Sequence, residues 1–374
     1  MSEQVISPDL GFVKDIVASG GETLKKCYQC ATCSVVCNVT PDNKPFPRKE
    51  MIYAQWGLKD RLISNPDIWL CHNCNDCTKY CPRGARPGDV FSTIRQKFVE
   101  ENSIPAFMGK IVTKPSMMLL ALAIPFILFI LFLIVRRLTG HLLIPEGDIV
   151  YSKLFPIIFI EIIFIPAVVL AGIAYLASLA RFWKSMSKGN RQSYSKGFIP
   201  AIIETLTEFL KHSRFAKCGP NADRRIAHML VFYAFIGLFI TTVWITYYYY
   251  VPEIKSPIPM SDPMKWLANI SAFALLIGSV LLIINSTKNK GFVSKSSSFD
   301  WTFAIIILLL CITGILTQFI RLAGIASLAY PMYFVHLIFV FYTIVYFPYS
   351  KLAHMGYRTL AITYSKMTNR DVLL

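Results

Sequence analysis

Eight of the ten cysteines in this 374-residue chain fall between residues 27 and 81, in two runs of the same form. The first is Cys27-Tyr-Gln-Cys30-Ala-Thr-Cys33-Ser-Val-Val-Cys37; the second is Cys71-His-Asn-Cys74-Asn-Asp-Cys77-Thr-Lys-Tyr-Cys81-Pro82. Both read C-x2-C-x2-C-x3-C, and every cysteine lies 44 residues from its counterpart. Three closely spaced thiolates can wrap three irons of one cubane. The fourth ligand must arrive from another direction, and a two-fold repeat supplies it by exchange. The spacing predicts two [4Fe–4S] clusters, the first on Cys27, Cys30, Cys33 and Cys81 and the second on Cys71, Cys74, Cys77 and Cys37. Zinc also takes C-x2-C pairs, but a zinc site is usually built from two pairs and needs neither a third cysteine nor a fourth three residues on. Structural disulfides are not expected in a reducing compartment. Cys218 and Cys311 carry no assigned role.

The six histidines are the next candidates: His72, His141, His212, His228, His336 and His354. Imidazole is a standard axial ligand of haem iron, and ionisable side chains in apolar spans are costly and functional by default. His228 lies near the start of the third apolar stretch and His354 at the end of the sixth, at one depth, where they can clamp one b-type haem. His336 and His354 are separated by five helical turns, about 27 Å, so His336 can only serve a second, outer haem. Leu238 stands where its partner would be, and His141 reaches only if its loop folds inward. His212 is either an alternative inner ligand or a surface residue, and His72 a hydrogen-bonding neighbour of a cluster. At the outer depth, Glu161 and His336 lie about 12 Å and about 9 Å into their spans, near Gln318, Arg321 and Tyr247 to Tyr250. A carboxylate and an imidazole at one depth suit a quinol that must release two protons. Alternatively, Glu161 pairs with Arg321 and only holds the bundle.

These groups need helices to place them. The chain is 54% hydrophobic and only 16% charged, with a mean hydropathy of +0.49, outside the ordinary soluble range. Six apolar stretches, about 116–135, 154–180, 226–250, 264–286, 301–320 and 330–355, approach or exceed the roughly 20 residues that cross a bilayer. In lipid they must be helices, with kinks expected at Pro125, Pro156, Pro166 and Pro348. The fold class is therefore mainly α: a helical, ferredoxin-like two-cluster domain over 1–114 fused to a six-helix transmembrane cytochrome b bundle over 115–374. Residues between the clusters, from Arg48 to Leu62, are apolar at helical spacing. Residues 198–212 place Ile199, Ile202, Ile203, Leu206, Phe209 and Leu210 on one face, as in a helix lying on a membrane surface.

Charge sets the expected topology. The N-terminus is polar and lacks a secretory core, so residues 1–114 are expected on the cytoplasmic side of the inner membrane, with the C-terminus beside them. The inner connections (181–225, 286–300, 351–374) hold seventeen Lys/Arg and the outer ones (136–153, 251–265, 321–329) six, as the positive-inside rule asks. Arg136 and Arg137 are the discordant pair: either they snorkel to the outer headgroups or the first span ends elsewhere than at residue 135. The net charge of +16 is thus a topology signal, and a nucleic-acid partner is not expected.

The cysteine part, through Cys81-Pro-Arg-Gly-Ala-Arg-Pro-Gly-Asp-Val90, resembles the small iron–sulfur subunit of heterodisulfide reductase. The part containing Arg225-Ile-Ala-His228, Val335-His336 and Ser350-Lys-Leu-Ala-His354 resembles that enzyme's cytochrome b subunit and the gamma subunit of respiratory nitrate reductase. Their fusion is similar to the QmoC family, the membrane subunit of quinone-interacting membrane-bound oxidoreductases. The resemblance implies QmoA- and QmoB-like flavin and iron–sulfur partners, menaquinone as membrane substrate and adenylylsulfate reductase as eventual acceptor. It also matches His336 and His354 to a pair of haem ligands on the last helix. The residues and the resemblance together predict a quinone-reactive electron-transfer subunit using haem b and two clusters. The rivals are a heterodisulfide-reductase-type complex and a redox-sensing membrane protein.

Overall fold

A computed structural model describes residues 6–141, 148–188, 194–213, 222–254, 256–288 and 297–370. It is helical throughout, with no strand among the described residues. The first part holds α1 (Leu10–Ala18), α2 (Thr32–Val35), α3 (Arg48–Gln55), α4 (Lys59–Ile63), α5 (Asp67–Leu70), α6 (Asp76–Lys79), α7 (Pro87–Asn102) and α8 (Ala106–Thr113). The second part holds α9 (Met118–Leu138), α10 (Tyr151–Leu154), α11 (Ile157–Lys188), α12 (Phe198–Lys211), α13 (Ala222–Tyr250), α14 (Pro263–Lys288), α15 (Ser298–Leu322), α16 (Ala326–Val345) and α17 (His354–Met367). Six of these, α9, α11 and α13 to α16, are long and apolar enough to cross a membrane.

The organising helix of the first part is α7. Pro87 opens it at a position where a missing N–H costs nothing, and Val90, Phe91, Ile94 and Phe98 are almost wholly buried along it. Their core does not stop at the domain edge. Trp69 stacks on Tyr357 of α17, with centroids 5.4 Å apart, and Phe98 meets Phe182 of α11 edge-on at 4.7 Å. The cysteine-bearing domain and the bundle are thus parts of one apolar cluster.

A buried ionic contact closes the same seam. Nη2 of Arg370, just past α17, donates to both carboxylate oxygens of Asp67 at the start of α5, at 2.6 and 2.7 Å, and both side chains are essentially sealed from solvent. Lys49 reaches Asp67 as well, at 2.8 Å. Glu50 lies beside this group, and its burial, with the Asp67 charge, pushes its carboxyl up to about 7. Removing one partner of a buried pair strands the other charge, typically at a cost of about 3–5 kcal/mol. In Arg370→Met the Asp67 carboxylate keeps Lys49, so the expected destabilisation of the seam lies at or below the low end of that range, about 3 kcal/mol. The measurement is thermal unfolding in detergent, and an unchanged midpoint would contradict the assignment.

Three expectations are corrected. The sixth span does not continue to His354. It ends at Val345, and two short 3-10 turns (Phe347–Tyr349 and Lys351–Ala353) lead into α17, which begins at His354. Pro348 terminates the span rather than kinking it, because proline cannot supply the N–H that a continuing helix needs. His336 and His354 therefore do not share one helix. Pro156 likewise precedes α11 rather than lying within it, whereas Pro125 and Pro166 are inside helices. Arg136 does not merely snorkel: its guanidinium donates to the carbonyls of Lys153 and Leu154, each at 2.7 Å, and of His141 at 2.5 Å, satisfying the end of α10.

The surface helix has the expected two faces. Ala201 and Thr205 of α12 are buried. Glu208 pairs with Lys366 of α17 at 2.7 Å, and the hydroxyls of Thr205 and Thr363 lie 3.3 Å apart. Ile199, Ile203, Leu206 and Leu210 face outward. Its polar face is spent on protein and its apolar face left open, the arrangement that suits a lipid surface.

Candidate redox site

The 44-residue repeat is written into the backbone. Gln29 and Ala31 hold left-handed φ of 61° and 68°; their counterparts Asn73 and Asn75 hold 56° and 71°. In each run the residues flanking the second cysteine are therefore turned so that the loop curls around its thiols. Such alternation creates a concave nest of N–H groups that favours an anionic guest. The turn costs a non-glycine residue about 1–2 kcal/mol, so four repetitions mark a required geometry. Each loop then enters a short helix, α2 or α6, one residue before its third cysteine.

The thiols sort into two groups that cross the runs. Cys27, Cys30, Cys33 and Cys81 line one small cavity. The nearest cysteine charges felt by Cys37 and Cys77 come from Cys71 and Cys74. Burial, reinforced by neighbouring thiols, pushes Cys33 up to about 11 and Cys37 up to about 12. Cys30, exposed and hydrogen-bonded by Thr32, is lowered instead. Crowded buried thiols ionise readily only around a cationic centre, so the donor set fits iron–sulfur clusters. Cys311 is packed between α14 and α15 and donates to the Ile307 carbonyl at 2.8 Å, a structural placement. Cys218 lies outside the described residues.

The larger cavity, about 740 Å³, lies where the two parts meet. His228 of α13 and His354 of α17 both line it, together with Trp69 of α5, His72 and Asn73 from the second cysteine loop and Arg95 of α7. Nδ1 of His354 donates to the Lys351 carbonyl at 2.5 Å, which leaves Nε2 for a ligand. Burial lowers His354 to about 4, so the ring is neutral and able to coordinate. Nδ1 of His228 lies 3.1 Å from Nε2 of His212. His212 thus orients the His228 ring rather than competing for its place, as outer-shell partners of metal-bound imidazoles do. It is itself held in a left-handed conformation at the end of α12. Gly172 also lines the cavity, and a Cβ there would meet nothing within 4 Å. Two half-buried imidazoles from separate elements and a roomy apolar slot are a donor set that fits a bis-histidine haem.

The outer polar residues do not converge as expected. Glu161 accepts a hydrogen bond from the Tyr250 hydroxyl, making no ion pair with Arg321 among the described residues. His336 is paired through Nδ1 with the Thr313 hydroxyl at 3.0 Å, and Gly314 supplies the room, since a Cβ there would lie 2.9 Å from the ring. Gln318 reaches Met260 Sδ at 3.8 Å. The Arg321 charge bears on Tyr151. His141 is exposed and lines neither cavity.

Comparison with known proteins agrees with this division. Residues 23–85 match the family described as 4Fe-4S dicluster domain. Residues 113–372 match the family described as Citrate utilization protein B, which covers more than half of the chain. The chain belongs to the citrate utilization protein B family. A family relative from Escherichia coli, named Citrate utilization protein B, is 25% identical over 358 residues, spanning 91% of this chain and 89% of that protein. The first part is 37% identical over 92 residues to the C subunit of the H(2):CoB-CoM heterodisulfide,ferredoxin reductase of Methanothermobacter marburgensis, which is 24% of this chain and 48% of that protein. It is 36% identical over 86 residues (23% and 46%) to a protein of Archaeoglobus profundus that is itself named for its likeness to the heterodisulfide reductase C subunit. The chain spans about half the length of these heterodisulfide reductase relatives. No solved structure matches. This CitB-family chain therefore joins a heterodisulfide-reductase-C-like 4Fe-4S dicluster domain to six membrane-length helices.

Proposed function

We propose that the chain is the quinone-reactive membrane subunit of a multi-subunit oxidoreductase, passing electrons between menaquinol and soluble flavin and iron–sulfur partners. The observation that carries this reading is the shared wall: Trp69, His72 and Asn73, beside Cys71, line the same cavity as His228 and His354. A group held in that cavity and a cluster on Cys71, Cys74, Cys77 and Cys37 are then neighbours. When bound, haem b and the clusters supply the one-electron chemistry that side chains lack.

The chain's own residues hold and orient these groups. His228 and His354 would hold the haem, positioned by His212 and by the Lys351 carbonyl. Cys27, Cys30, Cys33 and Cys81 hold the other cluster. Arg95 donates to the Cys71 carbonyl at 2.8 Å and to that of Ile68 at 2.9 Å, fixing the loop between cluster and cavity. At the far end of the bundle the Glu161 carboxylate, on Tyr250, is the proton acceptor for a quinol, with His336, Gln318 and Arg321 as further candidates. The positive-inside charge pattern puts the cluster domain and the C-terminus in the cytoplasm, and the exposed apolar face of α12 on the inner leaflet.

In its most specific form the partners are QmoA- and QmoB-like subunits and the eventual acceptor is adenylylsulfate reductase, as the sequence resemblance implies. The similarity to heterodisulfide reductase C subunits also supports partners of that type. A second reading is favoured by the relative that matches along 91% of the chain: the same electron path serving a partner enzyme of citrate utilization. The test common to these readings is reduction of the purified chain, in lipid nanodiscs, by a water-soluble menaquinol analogue.

A further inference from the structure

Of the two thiol groups, one reaches the surface. Cys30 is exposed, and the small cavity that it lines with Cys27, Cys33 and Cys81 is bordered by Tyr28, Arg48 and Arg83. In the other group, Cys37 and Cys77 are pushed up by burial, and Cys71 adjoins the large cavity through His72 and Asn73. The bundle meets α7 from Ser92 onward: Ser92 on Asp300, Phe98 on Phe182 and the Glu101 carbonyl on Arg181. Pro87, at the start of that helix, lines the small cavity. The exposed thiol group is therefore the end of the redox path that lies away from the bundle.

Its rim has a definite chemistry. Tyr28 is 68% exposed, and the Arg83 guanidinium lies 3.9 Å from the centroid of its ring. Stacking on a ring leaves that charge uncompensated, and Arg83, Arg48, Lys25 and Lys26 form no ion pair among the described residues. All four are exposed, the two lysines in the turn that leads into Cys27. Glu22 and Asp76 are the only acids in residues 22–35 and 76–86, against Lys25, Lys26, Lys79, Arg83 and Arg86. Tyrosine and arginine carry much of the binding energy at protein interfaces, and a rim of one sign steers a partner of the other. We propose that this rim is the docking surface for the soluble electron-accepting subunit, which presents an acidic face to Arg48, Arg83, Lys25 and Lys26. One electron then leaves the cluster on Cys27, Cys30, Cys33 and Cys81, at its Cys30 edge, and reduces a flavin or iron–sulfur centre of the partner. This rests on the electron path proposed above and adds where the partner sits and the charge it carries.

The test uses the full chain in nanodiscs, reduced with dithionite and desalted, so that neither quinol nor haem is needed to load the clusters. Stopped-flow absorbance follows cluster reoxidation by two one-electron protein acceptors of opposite charge, acidic plastocyanin and basic cytochrome c. At low ionic strength Arg83→Glu should slow plastocyanin about tenfold and speed cytochrome c. Both effects should vanish near 1 M salt, where the Debye length is about 3 Å. Lys110→Glu makes the same charge change on α8, which packs against α7 at Glu100, about 20 Å along the helix from Pro87. It should alter neither rate by more than about twofold. The double variant Lys25→Glu, Lys26→Glu decides the matter if Arg83→Glu loses its cluster, since neither lysine lines the cavity. Unchanged rates, or a change of the same sign with both acceptors, overturn the proposal; the latter makes Arg83 a counter-charge of the cluster itself. A response confined to nanodiscs of anionic lipid assigns the rim to headgroups and also overturns it. Clusters that dithionite reduces and the menaquinol analogue does not overturn the electron path and leave the docking surface standing.

Discussion

Replacing either His228 or His354 with alanine is expected to leave the purified chain without b-type absorbance, while both cluster signals persist in the EPR spectrum. In the proposed site each imidazole would supply one of the protein's two bonds to iron, and the two come from separate elements, α13 and α17, on one cavity. In His354→Ala the nearest other imidazole, His212, stays turned onto His228; in His228→Ala it is left behind the vacated ring, on the Nδ1 side, a ring's width from the position that Nε2 occupied. His212→Ala should be milder, weakening haem retention about 10–100-fold, as loss of an outer-shell partner typically does. His336→Ala should retain the haem, since that ring is committed to Thr313. Pyridine haemochrome quantitation distinguishes the three. Equal haem in His354→Ala and the unaltered chain would remove this histidine from the site.

An effect of similar size is expected in the soluble part, and its pattern matters more than its magnitude. Cys81→Ala should remove the same EPR signal as Cys27→Ala, although Cys81 sits in the second run. Cys37→Ala should remove the signal lost in Cys71→Ala. Each variant should roughly halve the non-haem iron. The basis is geometric: Cys81 shares its cavity with Cys27, Cys30 and Cys33, while Cys37 feels Cys71 and Cys74 first. Packing of α2 against α6, which carry the third cysteines, brings the two runs close enough for the proposed exchange. Pairing of Cys81→Ala with Cys71→Ala instead would mean that each run closes its own cluster.

The parts of this architecture readable from the sequence are those set by local spacing. The two cysteine runs needed only their intervals, and the six membrane helices needed only length and hydropathy. The left-handed residues were half visible: asparagine tolerates that conformation at 73 and 75, but nothing in Gln29 or Ala31 announces it. The end of the sixth helix escaped because Tyr346-Phe-Pro-Tyr349 is as apolar as the helix before it, so hydropathy runs on where backbone hydrogen bonding stops. Depth arithmetic placed Glu161 and Tyr247 to Tyr250 at one end of the bundle, yet the choice of Tyr250 over Arg321 depends on helix rotation about the axis, which composition does not encode. His212 on His228, Trp69 on Tyr357 and Arg370 on Asp67 join residues far apart in the chain. They are consequences of packing the two parts together, and they are what turns a ferredoxin-like domain and a bundle into one site.

In the proposed path, quinol electrons reach the clusters by way of the cavity between His228 and His354. It is tested most directly by mixing the oxidised chain in nanodiscs with a menaquinol analogue while following haem absorbance, and freezing samples for cluster EPR. Reduction of haem and clusters is expected in the unaltered chain, and loss of cluster reduction in His354→Ala even though dithionite still reduces its clusters. Clusters reduced by the quinol equally well in His354→Ala, or a chain with no haem signal at all, would contradict it.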